Sequence, residues 1–345
     1  MTSYLVAYAT VLATVLAMLM LVMIVELSGG AWFTAVRRYA ETVIATLPVL
    51  AVLFIPILIG GRALYLWAGT PAEMPSALRH AVEARQPYLS PLFAALRAIM
   101  YWIVWISVGE QLRDASARYR QSPDDLTSLR LHKLSAIGIP LIAITMTFAS
   151  FDWLMSLSPD WSSSIYGMYY FAGGAAAAVA LLAVLRGIAI RRSPQSVAGQ
   201  EDFRALANLL LTFILLWVYL AYSQFLIIWI ADLPREVPWY AIRTRGGWGA
   251  LGLVLVIGHF VLPFLALLLQ AVKRSALGMV VVGGWILLMH YLDIYWLVVP
   301  AQPPRQLLAY LMDLAALVAV AGLAFGVAFR RQSTSTTDTG MEYAA

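Results

Sequence analysis

Long apolar runs separated by short polar stretches set the pattern of this chain. Nine of them are apolar over about 20 residues, the length an α-helix needs to cross hydrocarbon. They lie near 4–27, 41–60, 90–109, 134–156, 162–185, 204–230, 248–271, 276–299 and 307–329. Runs of this length predict helices, because an outer-membrane barrel would show short alternating strands. The expected fold class is all-α, a polytopic transmembrane helical bundle forming one domain over 1–331. The longest connections, 61–89 and 110–133, are too short to fold alone. The stretch 332–345, polar and rich in Ser and Thr, is expected to be a disordered cytoplasmic tail. Pro48, Pro56, Pro140 and Pro263 fall inside spans and predict kinks. Gly173-Gly174 with Ala175 to Ala178 predicts a small-residue face for close helix packing.

Composition narrows the class further. The chain is 62% hydrophobic and 12% charged, with mean hydropathy +0.80, which excludes an ordinary water-soluble domain. Zero Cys excludes disulfides, thiolate-bound iron–sulfur clusters and covalently attached haem within the chain. No metal site is expected. The start, Met-Thr-Ser-Tyr-Leu, lacks the positive region of a cleaved signal peptide, so the first run is expected to remain as a membrane helix. The net charge of +5 and pI near 9.4 arise in loops. Those residues read as topology determinants and contacts to anionic lipid, not as a nucleic-acid surface.

Counted by loop, Lys and Arg number 15 on one side and 7 on the other, with Arg97 inside the third span. The positive-inside rule then puts the N-terminus outside and the C-terminus in the cytoplasm.

That orientation sorts the polar residues of the spans by depth. Arg97, Asp152, Tyr222, Gln224, His290, Asp293 and Asp313 fall in the outer half, with His259 near the midplane. A charge in hydrocarbon costs roughly 2.5–3.5 kcal/mol on insertion scales, so such groups are paired, solvated or functional. A spacing of three places His290 and Asp293 on one helix face. Asp152, His259, His290 and Asp293 are expected to connect by hydrogen bonds, directly or through water, as a proton relay, with Tyr222, Gln224, Asp313 and Arg97 around them. A second set, Glu26, Glu41, Glu110, His132 and Lys133, lies near the cytoplasmic ends, where charged residues ordinarily snorkel to the interface. Of these, Glu26, Glu41 and Lys133 are the candidates for a cytoplasmic proton intake. Trp153, Trp161, Trp239, Trp248 and Trp296 fall near the outer ends and predict an aromatic belt.

The segment Phe148–Gly173 resembles the Asp-Trp-x-Met-Ser-Leu-x-Pro-x-Trp…Tyr-Gly-x-Tyr-x-Phe-Ala-Gly signature of the F subunit (quinone-binding subunit 2) of alternative complex III. That subunit belongs to the NrfD-like, or polysulphide reductase membrane-subunit, superfamily. Three further stretches agree in order: Ala31-Trp-Phe…Arg37-Arg38-Tyr-Ala-Glu41 running into Leu47-Pro48; Tyr222-Ser-Gln224 through Pro234-Arg-Glu236-Val-Pro238-Trp239-Tyr240; and Gly258-His259 through Pro263, followed by Met289-His290-Tyr-Leu-Asp293. The resemblance covers about residues 1–330. Family members have ten spans with both ends cytoplasmic, so the resemblance implies that the family's first helix is absent here. An outside N-terminus fits that loss.

The resemblance implies a multi-pass subunit of the bacterial cytoplasmic membrane within a quinol:electron-acceptor oxidoreductase of a respiratory or photosynthetic chain. It implies as partners a sister NrfD-like subunit, an iron–sulfur protein, c-type cytochromes and small membrane subunits. Menaquinone or ubiquinone, with lipids, are the implied small-molecule companions. The expected role is proton conduction, structural support, or both, beside the quinol-oxidising sister; the chain is not expected to be catalytic alone. Imidazoles and buried carboxyls suit such proton traffic. The readings from other classes are a secondary transporter and a b-type cytochrome using His259 and His290 as axial ligands.

The orientation yields a first prediction. Impermeant reagents added from outside should reach loop 231–247, which contains Arg235 and Arg243, and should not reach loop 110–133. Labelling of the opposite polarity overturns the orientation and every depth that rests on it.

Overall fold

The computed structural model describes residues 1–69, 74, 76–192, 200–303 and 307–342. Among them, nine helices are long and apolar enough to cross a membrane, and there is no strand. They are α1 (Thr2–Ser28), α2 (Arg37–Ile59), α3 (Pro91–Gln121), α4 (Asp125–Trp153), α5 (Tyr166–Arg192), α6 (Gln200–Ala231), α7 (Gly246–Leu268), α8 (Ala276–Val298) and α9 (Leu307–Glu342). The all-α polytopic bundle expected from the apolar runs is present.

Helix α1 is its axis. This helix is apolar on every face, and every residue from Leu5 to Met23 is buried. A helix with no polar stripe belongs inside a bundle or in lipid, and here α2, α4, α5, α8 and α9 enclose it. It ends at Gly29, whose left-handed backbone (φ 72°) lets its N–H return to the Val25 carbonyl.

Glycines fix how closely α1, α5 and α8 approach. A Cβ on Gly174 of α5 would lie 2.6 Å from the Ala13 carbonyl oxygen of α1. One on Gly283 of α8 would lie 2.8 Å from the Ala180 carbonyl oxygen of α5. The small-residue face expected on α5 is therefore a true backbone-to-backbone contact. Facing outward, side chains such as Ile59, Leu92, Ile230 and Leu311 are 69–80% exposed, as a lipid-facing flank requires.

Several boundaries differ from the apolar pattern. Helices α3 and α4 continue well past their apolar runs, so most of loop 110–133 is a polar helical hairpin turning at Ser122–Asp124. Arg, Gln, Glu and Leu favour helix, and Pro123 is what finally interrupts it. Asp124 caps α4 by accepting from the Thr127 backbone N–H at 2.6 Å. Bonds from Thr127 hold its carboxyl below the usual carboxylate range. Helix α2 is interrupted at Ala45–Thr46, just before Pro48. The backbone of α9 is helical through Glu342, so the boundary expected at 331 is no break in the helix; no proline lies between 307 and 342 to impose one. Residues 343–345 of the expected disordered tail lie outside the described residues.

The aromatic belt is corrected in part. Trp153, Trp161 and Trp239 are buried. Trp161 stacks on Trp239 with centroids 4.2 Å apart, and Trp239 meets Trp296 edge-on. Position along the sequence does not tell which side of the helix they occupy. Arg243, expected to be accessible in its loop, is also buried (2% exposed), leaving exposed Arg235 as the target for labelling.

Gly174→Val should lower thermal stability by about 1–3 kcal/mol or more through overpacking against α1. Gly284→Val, where nothing lies within 4 Å, should leave it unchanged. Thermal unfolding of the two variants in one detergent compares them directly.

Candidate functional site

Asp293 lies where α5, α6 and α8 meet. The three-residue spacing turns His290 and Asp293 toward α5, and Gly173 makes room for both. A Cβ there would sit 3.2 Å from His290 Nδ1 and 3.5 Å from Asp293 Oδ2. One turn earlier on α5, Tyr169 donates its hydroxyl to Asp293 Oδ1. From α6, Trp217 Nε1 donates to Oδ2 at 3.0 Å. Asp293 is 1% exposed, and among the described residues no Lys, Arg or His forms an ion pair with it.

The same Trp217 ring stacks on His259 of α7, with centroids 4.1 Å apart and planes 23° off parallel. His259 sits in a π-helical turn, Val256–Val261, directly before Pro263. Proline has no N–H for the carbonyl four residues back, and the widened turn absorbs the mismatch. The Gly258 carbonyl accepts instead from Trp285 Nε1 at 2.7 Å. Both imidazoles are fully buried, and neither makes a hydrogen bond of good geometry to the described residues. The Thr10 backbone of α1 lies beside His290. Neither ring lines the described cavities, and Trp217 covers a face of His259.

Asp152 belongs to a different network, which corrects the expected four-residue connection. Arg97 Nε donates to Asp152 Oδ2 at 2.8 Å and Arg97 Nη2 to Oδ1 at 2.9 Å. Tyr101, four residues after Arg97 on α3, adds a bond at 2.9 Å. The guanidinium also lies over the Tyr88 and Phe93 rings, 3.9 and 4.5 Å from their centroids. Arg97 and Asp152 share a depth on adjacent helices, so they neutralise each other across the α3–α4 seam. The hairpin that follows is pinned from outside: Arg85 donates to the Pro159 and Trp161 carbonyls, and partial burial draws its pKa down.

The remaining expected residues scatter. Tyr222 is 59% exposed. Gln224 is buried, accepts from Ser163 Oγ at 2.9 Å and donates to the Tyr240 hydroxyl at 3.2 Å. Asp313 is buried on α9, which packs on α1 and α2 and not at the α5–α8 junction. On the expected cytoplasmic side, Glu26 pairs with Arg37 at 2.5 Å and Arg120 with Glu41 at 2.6 Å; Ser116 bridges them, accepting from Arg37 at 3.1 Å and donating to Glu41 at 2.6 Å. Lys133 is exposed and takes no part. That network lashes α1, α2 and α3 together.

A cleft of about 570 Å³ opens between α6, α7 and the short helix Val237–Arg243. Tyr169 and Trp217, the two donors to Asp293, are among its lining residues, as are Gln224, Tyr240 and Arg243. Position in the sequence concealed Trp217 and Arg243. Tyr169 stood in the signature segment without a role, and Tyr101 is legible only once Arg97 is paired with Asp152.

Breaking the buried Arg97–Asp152 pair should destabilise strongly. Asp152→Leu alone is expected to cost about 3–5 kcal/mol, because it strands a buried guanidinium. Adding Arg97→Met should restore much of that loss in chemical unfolding measured in detergent.

Comparison of the chain with family models and with curated proteins gives no match in either case.

Proposed function

We propose that this chain is a membrane subunit of a quinol-oxidising electron-transfer complex of the alternative complex III kind, and that it handles protons at Asp293. In this reading it sits in a bacterial cytoplasmic membrane beside a sister NrfD-like subunit that oxidises menaquinol or ubiquinol. An iron–sulfur protein and c-type cytochromes carry the electrons. The motif resemblance supports the assembly, and the nine-helix membrane bundle is consistent with it.

One observation carries the proton role. Asp293 is buried with two neutral donors, Tyr169 and Trp217, and without a cation in ion-pair distance among the described residues. A carboxyl without a fixed counter-charge is free to change protonation state, whereas Asp152 is held bidentately by Arg97. The relay therefore narrows to Asp293, Tyr169, His259 and His290, with Asp152 assigned to structure. The unbonded imidazole nitrogens are buried polar atoms of the kind that ordered water bridges.

Purifying the native assembly in mild detergent should recover this chain with cytochromes and an iron–sulfur protein. A solitary homo-oligomer would end the complex-subunit reading. Within the assembly, Asp293→Asn keeps size and hydrogen bonding but cannot exchange a proton. It should leave the complex intact and slow turnover or coupled proton movement by about 100-fold, the scale of one acid–base group. Wild-type turnover and coupling in that variant would make Asp293 structural.

A further inference from the structure

Arg243 is a buried cation with no carboxylate in ion-pair distance among the described residues. Its guanidinium donates to three backbone carbonyls: Nε to Trp296 at 3.2 Å, Nη1 to Trp239 at 2.9 Å and Nη2 to Leu297 at 2.7 Å. It also stacks on the Trp239 ring at 3.5 Å. No Asp or Glu pairs with it among the described residues. Carbonyl dipoles ease the desolvation of a guanidinium but leave its charge in place, and burial pulls its pKa down to about 10. Three bonds use three of its five N–H groups.

That charge lies at one end of the cleft between α6 and α7. The Tyr240 and Thr244 side chains line the same end. Away from it, the α7 wall is formed by Gly249, Gly252, Leu253, Val256 and Phe260, positions that share a helix face. From Gly249 to Phe260 this wall runs roughly 16 Å at 1.5 Å per residue. A Cβ on Gly249 would lie 2.5 Å from the Thr244 carbonyl oxygen, and one on Gly252 would lie 3.6 Å from Trp296 Nε1, so the two glycines let α7 close up at this end of the wall. Leu253 (60%), Val256 (50%) and Tyr222 (59%) are exposed along it, so the groove opens sideways, toward where lipid lies.

We propose that this cleft holds one anionic glycerophospholipid, with its phosphate against Arg243 and one acyl chain along the α6–α7 seam. The phosphate supplies the negative charge that no described Asp or Glu brings to Arg243, which has N–H groups left to receive it. The Tyr240 hydroxyl accepts from Gln224 and so keeps its own proton to offer at headgroup level. The apolar groove matches the length of an acyl chain. A free phosphate would satisfy the cation and leave the groove empty. A quinone would fill the groove but bring no charge to Arg243.

The full chain, purified in mild detergent and stripped of lipid, tests this with four additions: dioleoylphosphatidylglycerol, dioleoylphosphatidylcholine, inorganic phosphate and a long-chain quinone. Phosphatidylglycerol should raise the thermal midpoint at concentrations at least about tenfold below those needed for phosphatidylcholine, the scale expected for a buried charge pair. Unstripped protein should retain close to one anionic phospholipid per chain in native mass spectrometry. Arg243→Gln should abolish the headgroup preference. Leu253→Trp, at an exposed wall residue that makes no bond to Arg243, narrows the groove and should abolish retention. Equal effects of the two lipids would reduce the site to ordinary annular lipid. A full shift from phosphate alone would make it a free-anion site, and quinone retained in the lipid's place would make it a quinone site; each overturns the proposal. So would wild-type lipid binding in either folded variant. The wild-type comparison decides the matter whether or not a variant folds.

Discussion

Helices in hydrocarbon gain little by covering apolar side chains with one another instead of with lipid, so the bundle depends on how closely its backbones meet. The decisive contacts are those of α5 with α1 at Gly174 and with α8 at Gly283. Through them α1 is enclosed, and α8 is drawn close enough for His290 and Asp293 to reach the space that Gly173 leaves. The polar centre thus follows from glycine placement. A larger residue at any of these positions would separate the helices and part Asp293 from Tyr169.

The protein treats two of its buried aspartates, Asp152 and Asp293, in opposite ways. Asp152 receives a forked guanidinium and a tyrosine hydroxyl, an arrangement that compensates its charge locally and joins α3 to α4. Asp293 receives only a phenol and an indole. The first arrangement is rigid and electrically closed. The second holds a titratable group beside two imidazoles and an aromatic cleft, which is the composition of a place where charge can change.

The extent of each span was legible in the sequence, and direction around each helix was not. The nine apolar runs located the spans, and Gly173-Gly174 marked the close contact on α5. Counting along helices put Asp152, His290 and Asp293 at one level, yet Asp152 turned out to face Arg97 across another seam. Trp153, Trp161 and Trp239 were assigned to the membrane interface from depth alone, but their rings turn inward. Tyr222 shows the converse error, being outside where a cluster member was expected. The hydrophobic pattern could not supply these directions, because helices apolar on nearly all sides carry no stripe that tells inside from outside. Loop residues were hardest of all: burial of Arg243 depends on where the carbonyls of Trp296 and Leu297 fall, more than fifty positions away.

The π-helical turn at Val256–Val261 makes the facing of α7's two halves depend on one extra residue. Each residue of an α-helix advances the chain by about 100° of rotation, and a wide turn accommodates one residue more than the regular spiral would. Relaxing the turn to regular α-helix with the residue count unchanged would swing one half by that angle against the other. Either the cleft face with Gly252 and Val256 or the buried Leu267 would then point the wrong way. Removing one residue from the turn would instead let α7 run regularly with both faces kept, a change of length that an ordinary helical turn does not tolerate.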